Sequence, residues 1–339
     1  MNKREWVLRV LRNESVERVP LGFWFHFTAD ELIDGFLDPR VIERNIEGHK
    51  KFFREFQPDI LKIMTDGFFM YPNREFQDAR TAKELWKVKS IGPDHPWIEE
   101  QVAFAKTITG LFGGEVLTFY NIFSPATTFK FVRLGSGDFR AAGIPPDKLL
   151  ADLIVKDADA VVHALGVAAG DLSLLARRVI EEGGVDGIYL SAQDPSDGRV
   201  DGRLHRAVIA PGDTAVLRAA KSAGASWNIL HICGYEGCRN DFSHFVDYPA
   251  DIINWASAFE KFSLGEGKKF FGGRPVIGGF DNTVKGILYR GGEEEIKAET
   301  RRLLSESGRA GVILGADCTL PRDIDLRRLQ WVREAAESV

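Results

Sequence analysis

Short apolar runs rich in β-branched and aromatic residues recur along the 339-residue chain, and stretches of helical periodicity separate them. "PLGFWFHF" (20–27), "DILKIM" (59–64), "EVLTFYN" (115–121) and "VDGIYLS" (185–191) read as strands. So do "WNILHIC" (227–233), "DIINWA" (251–256), "PVIGGF" (275–280) and "GVILGA" (311–316). Helices are predicted over 39–57, 96–110, 152–182, 212–224, 292–308 and 323–337. Continuous apolar strands alternating with helices indicate a parallel sheet buried on both faces. Eight of them indicate a single closed (β/α)8 TIM barrel of the α/β class, with an open doubly wound sheet as the structural alternative. No linker or repeat divides the chain, so one domain over 1–339 is expected. The Gly/Pro clusters "IGPDHP" and "AAGIPPDK" fit loops, and a loop-rich insert at 65–95 is expected to cover part of the barrel mouth.

Active sites of such barrels lie at the C-terminal ends of the strands, and polar residues follow nearly every predicted strand. His26 closes the first, Asp66 follows the second and Asn121 ends the third. Ser191, Gln193 and Asp194 follow the fourth, His231 and Cys233 end the fifth, and Asn254 ends the sixth. Asp281 follows the seventh, and Asp317 and Cys318 the eighth. Loops also begin with polar residues, so position alone does not make each one functional. His26, Asn121 and Gln193 are candidate substrate contacts; for His26 the competing reading is a packed histidine among aromatics. His205 and His244 stand in polar segments and read as surface residues. The aromatic stretch at 119–132 reads either as a floor for a planar ligand or as core and helix start.

The segment "NILHICGYEGC" (228–238) narrows the chemistry. Strand side chains alternate, so His231 and Cys233 point to one side and Ile232 to the other. Histidine and cysteine are the ligand types zinc prefers, and a catalytic zinc commonly has three protein ligands with the fourth position open. Cys318, at the end of the eighth strand, is the third ligand if the barrel closes. The competing reading is that these cysteines are ordinary buried core residues. Cys238, in a loop behind two glycines, is a weaker candidate.

Composition restricts the partners. Net charge is -5 with scattered positive residues, so the chain carries neither a nucleic-acid face nor a polybasic lipid-binding cluster. Three cysteines make no disulfide framework, which points to a reducing, cytoplasmic compartment. The N-terminus lacks an apolar signal core. "VVHALGVAAGDLSLLA" is interrupted by His163, Asp171 and Ser173 and reads as too polar to span a membrane. The oligomeric state is open, with a homodimer admissible.

"ESVERVPLGFWF", "PDILKIMTDG", "VIGGFDN" and "GVILGADCTLP" resemble the uroporphyrinogen decarboxylase superfamily, and the resemblance runs from about residue 3 to 337. It implies a (β/α)8 barrel. H-x-C at 231–233 with the distant Cys318 resembles the branch of zinc-dependent methylcobalamin:coenzyme M methyltransferases. That likeness implies Zn2+ on His231, Cys233 and Cys318, a small thiol or similar acceptor, and a methylcorrinoid donor. The donor is either free methylcobalamin or carried by a separate corrinoid protein, since the chain has no D-x-H-x-x-G motif. Asp66 falls near the aspartate that contacts the pyrrole nitrogens in the decarboxylases, which implies a catalytic role; the competing reading is a loop cap. Asp281 reads either as a carboxylate orienting His231 or as a helix N-cap. The decarboxylases carry W-M-R-Q-A-G-R after the first strand, whereas "FWFHFTADELI" here has no arginine before Arg40. Arginines suit a substrate with eight carboxylates, so their absence counts against decarboxylation. A metal-free uroporphyrinogen decarboxylase, a non-catalytic barrel, and a zinc methyltransferase with a pterin or homocysteine acceptor are the alternatives.

Overall fold

All eight apolar runs form strands, and the strands pair in parallel in one sheet in which the first neighbours the eighth and the rest follow in descending chain order to the second. The computed structural model describes residues 2–29, 32–135, 143, 145–234 and 237–338. The strands are β1 (Leu21–Gly22), β2 (Ile60–Ile63), β3 (Leu117–Phe123) and β4 (Gly187–Ala192). β5 (Ile229–Ile232), β6 (Ile252–Trp255), β7 (Val276–Phe280) and β8 (Val312–Ala316) complete the sheet. The seam between β1 and β2 is spliced by Asp59, whose N–H donates to the Leu21 carbonyl at 3.2 Å. Its carboxylate accepts the Leu21 N–H at 2.8 Å and is gripped by both terminal nitrogens of Arg18 at 2.9 and 3.1 Å. The TIM barrel expected from the strand count is the observed fold.

Side-chain alternation divides the core into two layers. Ile60, Phe119, Tyr189, Ile229, Ile252, Ile277 and Ile313 point into the barrel and pack with Trp24. The alternate residues, such as Leu61, Ile188, Leu230 and Ile253, point outward beneath the helices. The helix Lys3–Leu11 adds Val7, Val10 and Leu11 to the inner cluster. It lies at the N-terminal end of the barrel, where Arg4 donates to the Val116 carbonyl at 2.7 Å and to Asp186 at 2.9 Å. Gly187 at the start of β4 has no room for a side chain, because a Cβ there would lie 1.7 Å from the Trp227 carbonyl oxygen.

Three expectations change in detail. The first strand is regular for two residues only, and beyond it Phe25 makes an isolated bridge to Leu320. The helix expected over 152–182 is two helices, Pro146–Lys156 and Ala158–Glu181. Asp157 breaks it, because its carboxylate accepts the Ala160 N–H and caps the second helix. By length and composition alone Ala158–Glu181 qualifies as a membrane span, contrary to the sequence reading, but half of its apolar window is buried inside the protein. Asp171 within it accepts the Tyr71 hydroxyl and, at 3.1 Å, the Ile91 N–H, tying the 65–95 insert to the outer helices. That insert also contains short helices, Arg74–Asp78 and Ala82–Leu85. The "AAGIPPDK" loop lies partly outside the described residues.

Candidate functional site

β5 presents His231 and Cys233 to the barrel interior, two residues apart on one face, and the loop after β8 brings Cys318 to them. One ligand atom from each lies within 4.8 Å of the others. His231 is buried, and its ring nitrogens have no hydrogen-bond partner beyond the approach of the Cys318 sulfur. A buried imidazole so poorly partnered is costly unless something absent from the protein's own atoms satisfies it. Thiolate and imidazole together suit zinc and disfavour magnesium and calcium. The residues present therefore fit a zinc ion.

The barrel builds a floor beneath these groups. The ring of Tyr189 stacks against His231 with centroids 5.3 Å apart. The Tyr189 hydroxyl donates to Asn254 Oδ1 at 2.8 Å, and Asn254 Nδ2 donates to the Ile277 carbonyl at 2.8 Å. Lys62, buried on β2, lies with its ammonium 3.9 Å from the Tyr189 ring centroid and 5.2 Å from that of Trp24. Burial lowers the Lys62 ammonium to about 8, against the opposite pull of Cys318 and Cys233. The Cys233 thiol, the His231 ring and Lys62 in turn hold the Cys318 thiol well below the ordinary thiol range. Cys318 is thus favoured as thiolate, the form that binds a metal.

The remaining candidates fall into place around this centre. Asp66 is fully buried and accepts His26 Nδ1 at 2.7 Å, the Phe27 N–H at 2.7 Å and the Thr28 N–H at 3.2 Å. Burial by itself pushes its carboxyl up, but His26 and these amides overcome that and hold it below the usual carboxylate value. The loop-cap reading of Asp66 matches this geometry. His26 keeps 19% of its side chain exposed and packs edge-on to Phe69. Asn121 donates to Thr65 Oγ1 at 3.1 Å, while its own Oδ1 is buried without a partner. Gln193 is held by the Lys130 ammonium.

Two expectations need correction. Asp281 does not orient His231, whose ring nitrogens have no carboxylate partner; its carboxylate accepts the Thr283 N–H at 2.8 Å and caps a turn. His205 is fully buried, and His244, stacked on it with centroids 4.6 Å apart, keeps only 8% of its side chain exposed, so neither is a surface residue. Cys238 stays outside the three-ligand group. Its thiol donates to the Asp194 carbonyl at 3.1 Å, and burial pushes it up to about 12. The aromatic stretch at 119–132 is β3 and the helix Pro125–Leu134, with Phe129 and Val132 in the core. Lys62 and Tyr189 were not among the predicted site residues, and Asn254 was named only as the polar residue ending the sixth strand. Lys62 had a visible signal, a lone charge inside the apolar run "DILKIM".

A (β/α)8 barrel with a soft-ligand cluster at its C-terminal mouth defines the class. Residues 75–339 match the family profile described as Uroporphyrinogen decarboxylase (URO-D), and the chain belongs to that family. Comparison with curated proteins found no match. Among solved structures, a methyltransferase from Methanosarcina mazei is similar at 16% identity and a TM-score of 0.67, over 100% of this chain and 99% of that one. A B12-independent methionine synthase from Shewanella sp. W3-18-1, in complex with selenomethionine, is similar at 13% identity and a TM-score of 0.51, over 95% and 97%. At these identities the likeness establishes the shared fold.

Proposed function

We propose that the protein is a cytoplasmic zinc-dependent methyltransferase that moves a methyl group from a methylcorrinoid to a thiol or similar acceptor. The observation that carries this reading is the buried imidazole of His231 converging with Cys233 and Cys318. When bound there, zinc supplies Lewis-acid activation that keeps an acceptor thiol in its nucleophilic thiolate form at neutral pH. His231, Cys233 and Cys318 would hold the ion, a three-ligand set of the kind that leaves catalytic zinc open to an acceptor. Tyr189, fixed by Asn254, sets the plane of the His231 ring from below. Lys62 offsets the negative charge of the two cysteines from inside the barrel. Asn121 Oδ1 and the exposed edge of His26 are the substrate contacts, with Asp66 positioning His26. The donor is free methylcobalamin or a separate corrinoid protein.

The likeness to a B12-independent methionine synthase favours a second reading, in which homocysteine is the acceptor and the donor is not a corrinoid. The experiment is metal analysis of protein purified without a metal-affinity tag, followed by assay of methylcobalamin demethylation with coenzyme M or homocysteine. Stoichiometric zinc and acceptor-dependent demethylation are expected. Zinc with homocysteine methylation from a pterin donor alone selects the second reading. Zinc-free protein that converts uroporphyrinogen to coproporphyrinogen contradicts both.

A further inference from the structure

A second set of side chains converges that the methyl-transfer reading does not use. Asp194 follows β4, His205 opens a single π-helical turn (His205–Ile209), and His244 lies on the 3-10 turn Phe242–Phe245 beyond β5. One ligand atom from each lies within 4.8 Å of the others. Asp194 Oδ1 is 3.0 Å from His244 Nδ1 and 3.4 Å from His205 Nε2. Donors bound about 2.1 Å from a tetrahedral ion stand about 3.4 Å apart, so the trio is already spaced to share one. His205 is fully buried, and neither of its ring nitrogens has a hydrogen-bond partner. Packing explains the ring's stacking on His244 but leaves Nδ1 without a partner and Nε2 with only its 3.4 Å approach to Asp194.

We propose that Asp194, His205 and His244 form a second binding site, for a divalent transition-metal ion of the zinc class. Outer contacts at His244 and Asp194 suit a ligated site. A metal-bound histidine directs its other ring nitrogen at a carboxylate, and His244 Nε2 lies 3.5 Å from Asp241 Oδ2. The second oxygen of Asp194 accepts the Asp241 N–H at 2.7 Å, which fixes the carboxylate. Two imidazoles and one carboxylate exclude magnesium and calcium as the preferred ions. Arg206 is a neighbouring cation, and Asp241 offsets it. π-helical turns of the kind that carries His205 occur frequently at functional sites.

The site ties the loop after β4 to the loop after β5, and that tie reaches the first centre. The Asp194 N–H donates to Asn240 Oδ1 at 2.9 Å, and Asn240 Nδ2 donates to the Cys233 carbonyl at 3.0 Å. An ion on Asp194 therefore braces the backbone of one ligand of the first site.

The test is Zn2+ binding to metal-stripped full-length protein, read by elemental analysis, on wild type, Cys318→Ala, His205→Asn and His244→Ala. His244→Ala, nearer the surface, serves if His205→Asn does not fold. Wild type is expected to bind two equivalents, and each variant one. Co2+ loading adds a spectroscopic check: thiolate charge-transfer absorption should vanish in Cys318→Ala and persist in the histidine variants. A single wild-type equivalent that His205→Asn and His244→Ala both retain overturns the proposal. A single equivalent that Cys318→Ala keeps and the histidine variants lose supports the second site while contradicting the first, so the two readings fail separately.

Discussion

Tyr189 shows how one side chain can serve both fold and site. Its hydroxyl satisfies Asn254 Oδ1 inside the barrel, and its ring underlies His231. Tyr189→Phe keeps the ring and deletes the donor. The buried acceptor left behind should cost about 1–3 kcal/mol in urea denaturation, while zinc content stays at the wild-type value. Zinc loss in this variant would mean that the hydroxyl matters to the site directly. Tyr189 was not legible as a site residue, and Asn254 only as the polar residue ending the sixth strand, because their roles depend on which strands pair and in what register. His231 and Cys233 were legible, because strand alternation alone puts them on one face. Cys318 needed barrel closure as well. His205 was misread because the polarity of neighbours in sequence does not reveal the packing of Phe245 and Tyr248 around the ring.

Among the elements, the strands were easier to find than their ends. Eight apolar runs sufficed for the barrel, but "PLGFWFHF" gave no sign that regular pairing stops after Gly22. The closure of the barrel at that short strand falls to side chains. Asp59 is fully buried and satisfies Leu21 and Arg18 together. Asp59→Ala keeps the backbone bond to Leu21 but removes the carboxylate half of the splice and leaves Arg18, which is only 19% exposed, without its main partner. Breaking a buried pair from one side should destabilise the fold by about 3 kcal/mol, measured by chemical denaturation. A loss within ~0.5 kcal/mol would show that the β1–β2 seam holds without it. The break of the long outer helix at Asp157 follows from a capping residue in the sequence "VKDADA", a signal overridden in the sequence reading by the helical periodicity on either side.

At the scale of the whole molecule, stability carries a pH signature from the helix Ala210–Ser222. Burial pushes Asp213 on that helix up to about 7, with Asp194 adding to the rise and the Tyr248 hydroxyl opposing it. A raised carboxyl favours the protonated form in the fold. Its contribution is therefore complete below the unfolded value near 4 and is lost as pH rises towards 7. Asp213→Asn cannot ionise and should flatten that decline, which melting temperatures from pH 4 to 8 will show; a parallel decline in the variant would place the titration elsewhere.

Family membership and the barrel fix the framework around the candidate site, and the proposed reaction depends on whether three ligands bind an ion. Cys318 decides this, being remote in sequence from His231 and Cys233 yet beside them in the fold. Cys318→Ala leaves two ligands, too few to retain zinc firmly. Cys238→Ala removes a buried thiol outside the group and controls for the loss of a sulfur. The measurement is the zinc retained at the His231–Cys233–Cys318 centre, followed as the thiolate absorption of the Co2+-substituted proteins and by bound Zn2+. The account predicts that Cys318→Ala loses the absorption and one equivalent of Zn2+, while Cys238→Ala keeps both. Full retention of both in Cys318→Ala, with only the modest stability loss of a small cavity, would contradict it.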